Sequence, residues 1–166
     1  ILATDMLDVS TFLALTKDDF PNTPLILYFH ENQMAYPWGQ NTIRNNNWRH
    51  YGFINYSSAL CADKVLFNSK YNKDSFHSET YQLLKSYPDY RELETLDTIK
   101  GKSEVLSLGL DLSSFDPFLT KNKRLNQPPL LIWNHRWEED KNPETFAKLI
   151  MTLYEEGYNF ELALLG

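Results

Sequence analysis

The polar run His30-Glu31-Asn32-Gln33 follows directly on the apolar stretch Leu25-Ile26-Leu27-Tyr28-Phe29. An imidazole and a carboxylate can both hydrogen-bond hydroxyl groups or move protons. In open α/β sheets, ligands collect at the carboxyl ends of strands. His30 and Glu31 therefore read as catalytic candidates, and Asn32 and Gln33 as substrate contacts. The competing reading is a polar turn whose side chains cap backbone groups. Asn68, which follows the apolar run Lys64-Val65-Leu66-Phe67, is a further candidate contact at the same edge, and Ser69 beside it suits a helix N-cap. Farther on, His135-Arg136 and Lys141 precede Asn142-Pro143, with Arg136 and Lys141 five residues apart. A guanidinium, an ammonium and the free N–H groups of a helix N-terminus together make a diphosphate site. Glu138, Glu139 and Asp140 lie between the two cations, so a solvated charged loop stays equally open. Gly109, in Leu108-Gly109-Leu110-Asp111, can hold a positive-φ turn, admit a ligand to the backbone, or serve as a simple turn.

Other chemistries lack their residues. There is no glycine-rich phosphate loop, no paired-cysteine zinc spacing, no pair of histidines at i, i+4 and no nucleophile motif. No metal site is expected. Asn55-Tyr56-Ser57 fits a glycosylation sequon but falls in a helical pattern and reads as chance. His50 and His77 read as structural groups on helices.

The elements that must position these residues alternate. Apolar runs at 25–29, 64–67, 105–108, 130–133 and 160–165 predict five strands of the kind buried in a parallel sheet. Ile1-Leu2-Ala3-Thr4 reads like the end of another. Between them, Trp48 to Ala62 places Tyr51, Ile54, Ser58 and Cys61 at helical spacing, and Ser69 to Leu84 gathers Phe76, Leu83 and Leu84. Pro143 to Glu156 is the clearest helix, with Asn142 as N-cap, a Phe146/Leu149/Ile150/Leu153 stripe and Gly157 as the stop. Tyr87 to Lys102 looks like a charged surface insertion with a short helical stretch at Leu93, Leu96 and Ile99. The fold class is thus α/β, a Rossmann-like parallel sheet with flanking helices.

The polar segment from Pro117 to Pro129, with Lys121, Lys123 and Arg124, has a linker's composition. This places one domain at 1–120, a linker at 121–129 and a second domain beginning at 130–166. The second piece holds only strand, helix, strand, too little to bury its own sheet. The chain is therefore expected to be a fragment of a larger two-domain protein.

The 166 residues carry 16 basic and 22 acidic side chains, a net charge of −6, with 42% hydrophobic residues. These values exclude a disordered or fibrous chain. No apolar run approaches a membrane span, and no signal peptide is visible. A single cysteine, Cys61, cannot form an internal disulfide, so a cytoplasmic home is the simplest expectation. The acidic balance argues mildly against a nucleic-acid-coating protein. Aromatic residues reach 14%, in clusters such as Tyr36-Pro37-Trp38 and Trp133 to Trp137. They read first as packing under loops and second as faces for sugar-like ligands.

Together these segments resemble the retaining glycosyltransferases of family 4, with their two-domain GT-B architecture. Val105 to Pro117 is similar to that family's inter-domain segment, and His135-Arg136 to Lys141 to its Arg…Lys segment. Tyr28 to Gln33 with Tyr36-Pro37, then Phe67-Asn68-Ser69 with Ser75-Phe76, then His135 to Glu144, resemble the tRNA-queuosine α-mannosyltransferase branch. The resemblance implies transfer of mannose from GDP-mannose to the cyclopentenediol of queuosine in the anticodon of tRNA-Asp, without a metal or resident cofactor. It implies donor binding by Arg136, Lys141, Gly109 and His135. It has His30 position the sugar, Glu31 reach the acceptor, and Asn32, Gln33 and Asn68 stand as acceptor or substrate contacts. The site would lie between the domains. The alternatives are a family 4 enzyme with a lipid, saccharide or small-molecule acceptor, and a non-catalytic nucleotide-sugar-binding module.

Overall fold

The computed structural model describes residues 1–36, 47–119 and 127–166. Pro37, Trp38, Lys121, Lys123, Arg124 and the linker up to residue 126 lie outside them. The chain forms two compact units, Ile1–Gly109 and Leu110–Gly166.

The first unit carries a four-stranded sheet in the order β1 (Leu2–Thr4), β2 (Ile26–Phe29), β3 (Lys64–Phe67), β4 (Ser103–Val105). All three pairings are parallel, in registers such as Ala3↔Leu27, Leu27↔Val65 and Phe67↔Val105. Among the described residues, four helices connect them: α1 (Val9–Leu15), α2 (Asn47–Cys61), α3 (Lys70–Lys85) and α4 (Thr95–Gly101). This is the expected parallel α/β arrangement. Leu27, Phe29, Val65 and Phe67 have no exposed surface. Phe29 stacks on Phe67 at 5.0 Å between ring centroids, and Phe76 of α3 closes over both at 4.9 and 5.3 Å. Ser69 caps α3 by accepting a 3.1 Å bond from the Asn72 N–H.

Four expectations need correction. The third strand is Ser103–Val105, earlier than the apolar run at 105–108, because Leu106 and Leu108 lie beyond the sheet and are exposed. Residues 87–102 are no surface insertion. α4 is the crossover into β4; its Ile99 is completely buried, and Leu93 and Leu96 pack on the core. The inward face of α2 is Asn55, Tyr56, Ser58 and Ala59, whereas Tyr51 and Cys61 are exposed. Two of those inward residues are polar because they bond neighbouring backbone: the Ser58 hydroxyl accepts from the Val9 N–H at 3.0 Å. Asn55 does the same for two loops described below, and its burial confirms that the sequon is chance. Finally, α1 was not anticipated; Asp8 caps it by accepting from the Thr11 N–H at 3.0 Å.

In the second unit a short 3-10 segment (Leu112–Phe118) precedes β5 (Leu130–Asn134), a 3-10 turn (Glu139–Lys141), α5 (Pro143–Glu155) and β6 (Glu161–Leu165). β5 and β6 pair in parallel. Asn142, in the left-handed region at φ 54°, caps α5 through Thr145, and Gly157 follows its end at φ 78°. Trp133 is this unit's one buried residue among those described, and it packs on Phe146 of α5 at 4.6 Å.

Candidate functional site

Parallel pairing brings four chain segments to one edge of the first sheet. Thr4 pairs with Tyr28, so the residues that follow the two strands, Asp5 and His30, emerge side by side. Asn68 follows β3 and the Leu106–Gly109 segment follows β4 at the same edge.

Asp5 is the residue that sequence reasoning missed. Its side chain is 2% exposed. Its Oδ1 accepts from the His30 backbone N–H at 3.0 Å and faces His30 Nδ1 at 3.2 Å. Because a carboxylate oxygen only accepts, this contact fixes the ring proton on Nδ1 and leaves Nε2 as the outward acceptor. The ring, half exposed, also rests edge-on against Tyr28 at 4.9 Å. Tyr28 is itself held by donating its hydroxyl to the Leu106 carbonyl at 2.8 Å. Asn68 donates to the His30 carbonyl at 2.6 Å. His30 is thus tethered at its N–H, its carbonyl and its ring.

The rest of the polar run builds the loop. Asn32 is buried; its amide donates to Asn72 Oδ1 at 2.9 Å and Ser75 Oγ at 3.0 Å, and its Oδ1 accepts from the Ala35 N–H at 2.9 Å. Gln33 is buried too, with its backbone N–H on Asn55 Oδ1 at 2.9 Å and its amide on Glu31 Oε1 at 3.2 Å. Asn55 in turn donates to the Asp5 carbonyl at 3.0 Å. One buried amide therefore ties the Asp5 turn and the post-β2 loop to α2. Of the four polar residues, His30 and Glu31 are the exposed pair. Asn32, Gln33 and Asn68 hold backbone and loop neighbours.

Gly109 is not in the positive-φ region, so of its three readings the positive-φ turn falls away. A Cβ added there would meet nothing within 4 Å, so the backbone stands open.

In the second unit, Arg136 projects from the loop after β5, 75% exposed, and its Nη2 lies 3.1 Å from Glu138 Oε2. Lys141 ends the 3-10 turn and pairs with Asp140 at 2.6 Å. That bond, above all, holds the Asp140 carboxyl below its ordinary range. Each cation thus has an acidic neighbour from the same loop. The Trp137 ring stacks on Trp133 at 5.3 Å, with His135 edge-on to Trp133 at 5.8 Å. These aromatics pack on one another. Gly166, at φ 144°, lies so close that a Cβ there would stand 2.5 Å from the His135 carbonyl oxygen. The end of β6 therefore supports the loop that carries Arg136.

A parallel α/β unit of this kind is Rossmann-like, and in such folds ligands collect where its polar side chains gather, at the strands' carboxyl ends. Residues 1–110 match the family described as tRNA-queuosine alpha-mannosyltransferase N-terminal, and the chain belongs to that family. It is also similar to the tRNA-queuosine alpha-mannosyltransferase of Drosophila melanogaster, at 31% identity over 172 aligned residues. That similarity covers the whole of this chain and 45% of the fly protein, so the chain spans about half the relative's length. No solved structure matches. Among the described residues, no helix is long and apolar enough to cross a membrane.

Proposed function

We propose that the full-length protein transfers mannose from GDP-mannose to the cyclopentenediol of queuosine in the tRNA-Asp anticodon, in the cytoplasm, as a two-domain GT-B enzyme of family 4. The observation that carries this reading is the family match over residues 1–110, the segment holding the tethered His30. The fly relative's name supplies the acceptor. In the reaction, the bond between the anomeric carbon and the diphosphate oxygen breaks, and a bond to a queuosine hydroxyl oxygen forms. The hydroxyl proton leaves with GDP. Positive charge develops on the sugar and negative charge on the diphosphate. Arg136 and Lys141 stabilise the departing diphosphate, exchanging their loop carboxylates for it. His30, with its Nδ1 proton held by Asp5, offers Nε2 to a sugar hydroxyl and fixes the ring. Glu31 faces the acceptor, and Gly109 leaves backbone open beside the donor.

The test supplies full-length protein with GDP-mannose and either queuosine-containing tRNA-Asp or the same tRNA with guanosine at that position, then weighs the digested nucleosides. One added hexose on queuosine, and none on guanosine, is the expected result. Binding of GDP-mannose without transfer to queuosine would overturn the acceptor assignment.

A further inference from the structure

A cavity of about 270 Å³ opens beside Asp5, lined also by Met6, Asp8, Gln33, Tyr51, Ile54 and Asn55. That is about nine water volumes at ~30 Å³ each, enough for a small ring and its substituent. Its chemistry is one-sided: two carboxylates and no Lys or Arg line it among the described residues.

The carboxylates differ. Asp8 is satisfied as the α1 cap. Its Oδ1 accepts from the Thr11 N–H and from the Ser10 hydroxyl at 2.8 Å, and its Oδ2 from the Thr11 hydroxyl at 2.7 Å. These bonds, the Thr11 N–H first, hold its carboxyl below the ordinary range, so it stays anionic. Asp5 is half satisfied. Both of its contacts to His30 fall on Oδ1, and Oδ2 has no partner among the described residues. Oδ2 is not sealed off but meets the cavity, where an entering donor would gain a charge-assisted hydrogen bond. The donor that suits an anionic wall is a cationic N–H.

We propose that this cavity binds a protonated amine through Asp5 Oδ2. Resting on the function proposed above, that amine is the secondary amine joining the cyclopentenediol of queuosine to its deazaguanine. One carboxylate would then serve both sides: Oδ1 orients His30, and Oδ2 anchors the acceptor next to it. The pocket reads the charge of the acceptor as well as its hydroxyls, and a neutral linkage at that position is rejected.

Isothermal titration of full-length protein with queuosine nucleoside, and with the isosteric analogue carrying an ether oxygen in place of the amine nitrogen, tests this. A charge-assisted hydrogen bond predicts that queuosine binds ~10- to 100-fold more tightly than the ether. D5N should bind both alike. H30F, which breaks the ring contact to Asp5 but keeps the backbone N–H contact and the carboxylate, should keep the preference for the amine. Equal binding of the two nucleosides by wild type overturns the proposal, as does absence of binding to either. This comparison needs no variant, so a D5N protein that fails to fold does not shelter the idea. Loss of the preference in H30F as complete as in D5N also overturns it, since Asp5 would then act only through His30. A protein that shows the preference but transfers no mannose to queuosine overturns the function and leaves the cavity's ligand class standing.

Discussion

Asn55 is the internal brace of the site, and its removal has a calculable consequence. The side chain is 1% exposed. Its Oδ1 takes the Gln33 N–H at 2.9 Å, and its Nδ2 gives to the Asp5 carbonyl at 3.0 Å. Asn55→Ala leaves one donor and one acceptor of the backbone without partners. Each unsatisfied buried group costs about 1–3 kcal/mol. The adjoining cavity gives water a route to one of them, which favours the lower half of the sum, about 2–4 kcal/mol. Asn55→Asp keeps the volume and the acceptor but turns the donor into a second oxygen facing the Asp5 carbonyl, so it should cost a similar amount. The measurement is urea unfolding followed by circular dichroism, with Ser57→Ala on the same helix as control. Ser57 is half-buried and its hydroxyl bonds Ser10, so its loss should cost no more than about 1 kcal/mol. A cost for Asn55→Ala below that of Ser57→Ala would refute the bracing argument.

Three further outcomes follow from the geometry. Ile99→Ala should lower stability by about 2–5 kcal/mol in the same unfolding assay, as expected of a core position and not of a surface insertion. Burial, followed by the charges of Lys100 and Lys73, pushes His77 from 6.5 down to about 4. The unfolded chain binds the extra proton between those values, so this stability is whole above pH 6.5 and is lost as pH falls toward 4. Discounted for solvent screening of a residue that is only partly buried, the loss should be about 1 kcal/mol in unfolding measured across that window, and His77→Phe should remove it. Arg136→Ala and Lys141→Ala should each slow mannose transfer about a hundredfold in initial-rate assays, with the acceptor KM unmoved.

Local physics made much of this legible in the sequence. β3 and the caps at Ser69 and Asn142 stand where short apolar runs and capping side chains put them, because those signals act over a few residues. His30 and Glu31 follow β2 and are exposed, as strand-end logic requires. What escaped depends on distance or on polar burial. Asp5 reaches His30 only because parallel register aligns residues 25 apart in sequence. The inward face of α2 is set by Asn55 and Ser58, whose hydrogen bonds an apolar stripe cannot register. The charged stretch at 87–102 concealed Ile99, since one buried residue per turn suffices to dock a short helix. The bonds that Asn32 makes within the loop and Asn68 makes to His30 likewise depend on the folded arrangement.

In the proposed reaction, His30 is the group that meets the sugar. The most direct measurement is the rate of mannose transfer to queuosine-containing tRNA by His30→Ala full-length protein at saturating donor and acceptor. Its ring is half exposed, so the melting temperature should stay at the wild-type value while kcat falls about a hundredfold. A kcat within twofold of wild type in a folded variant would contradict the account.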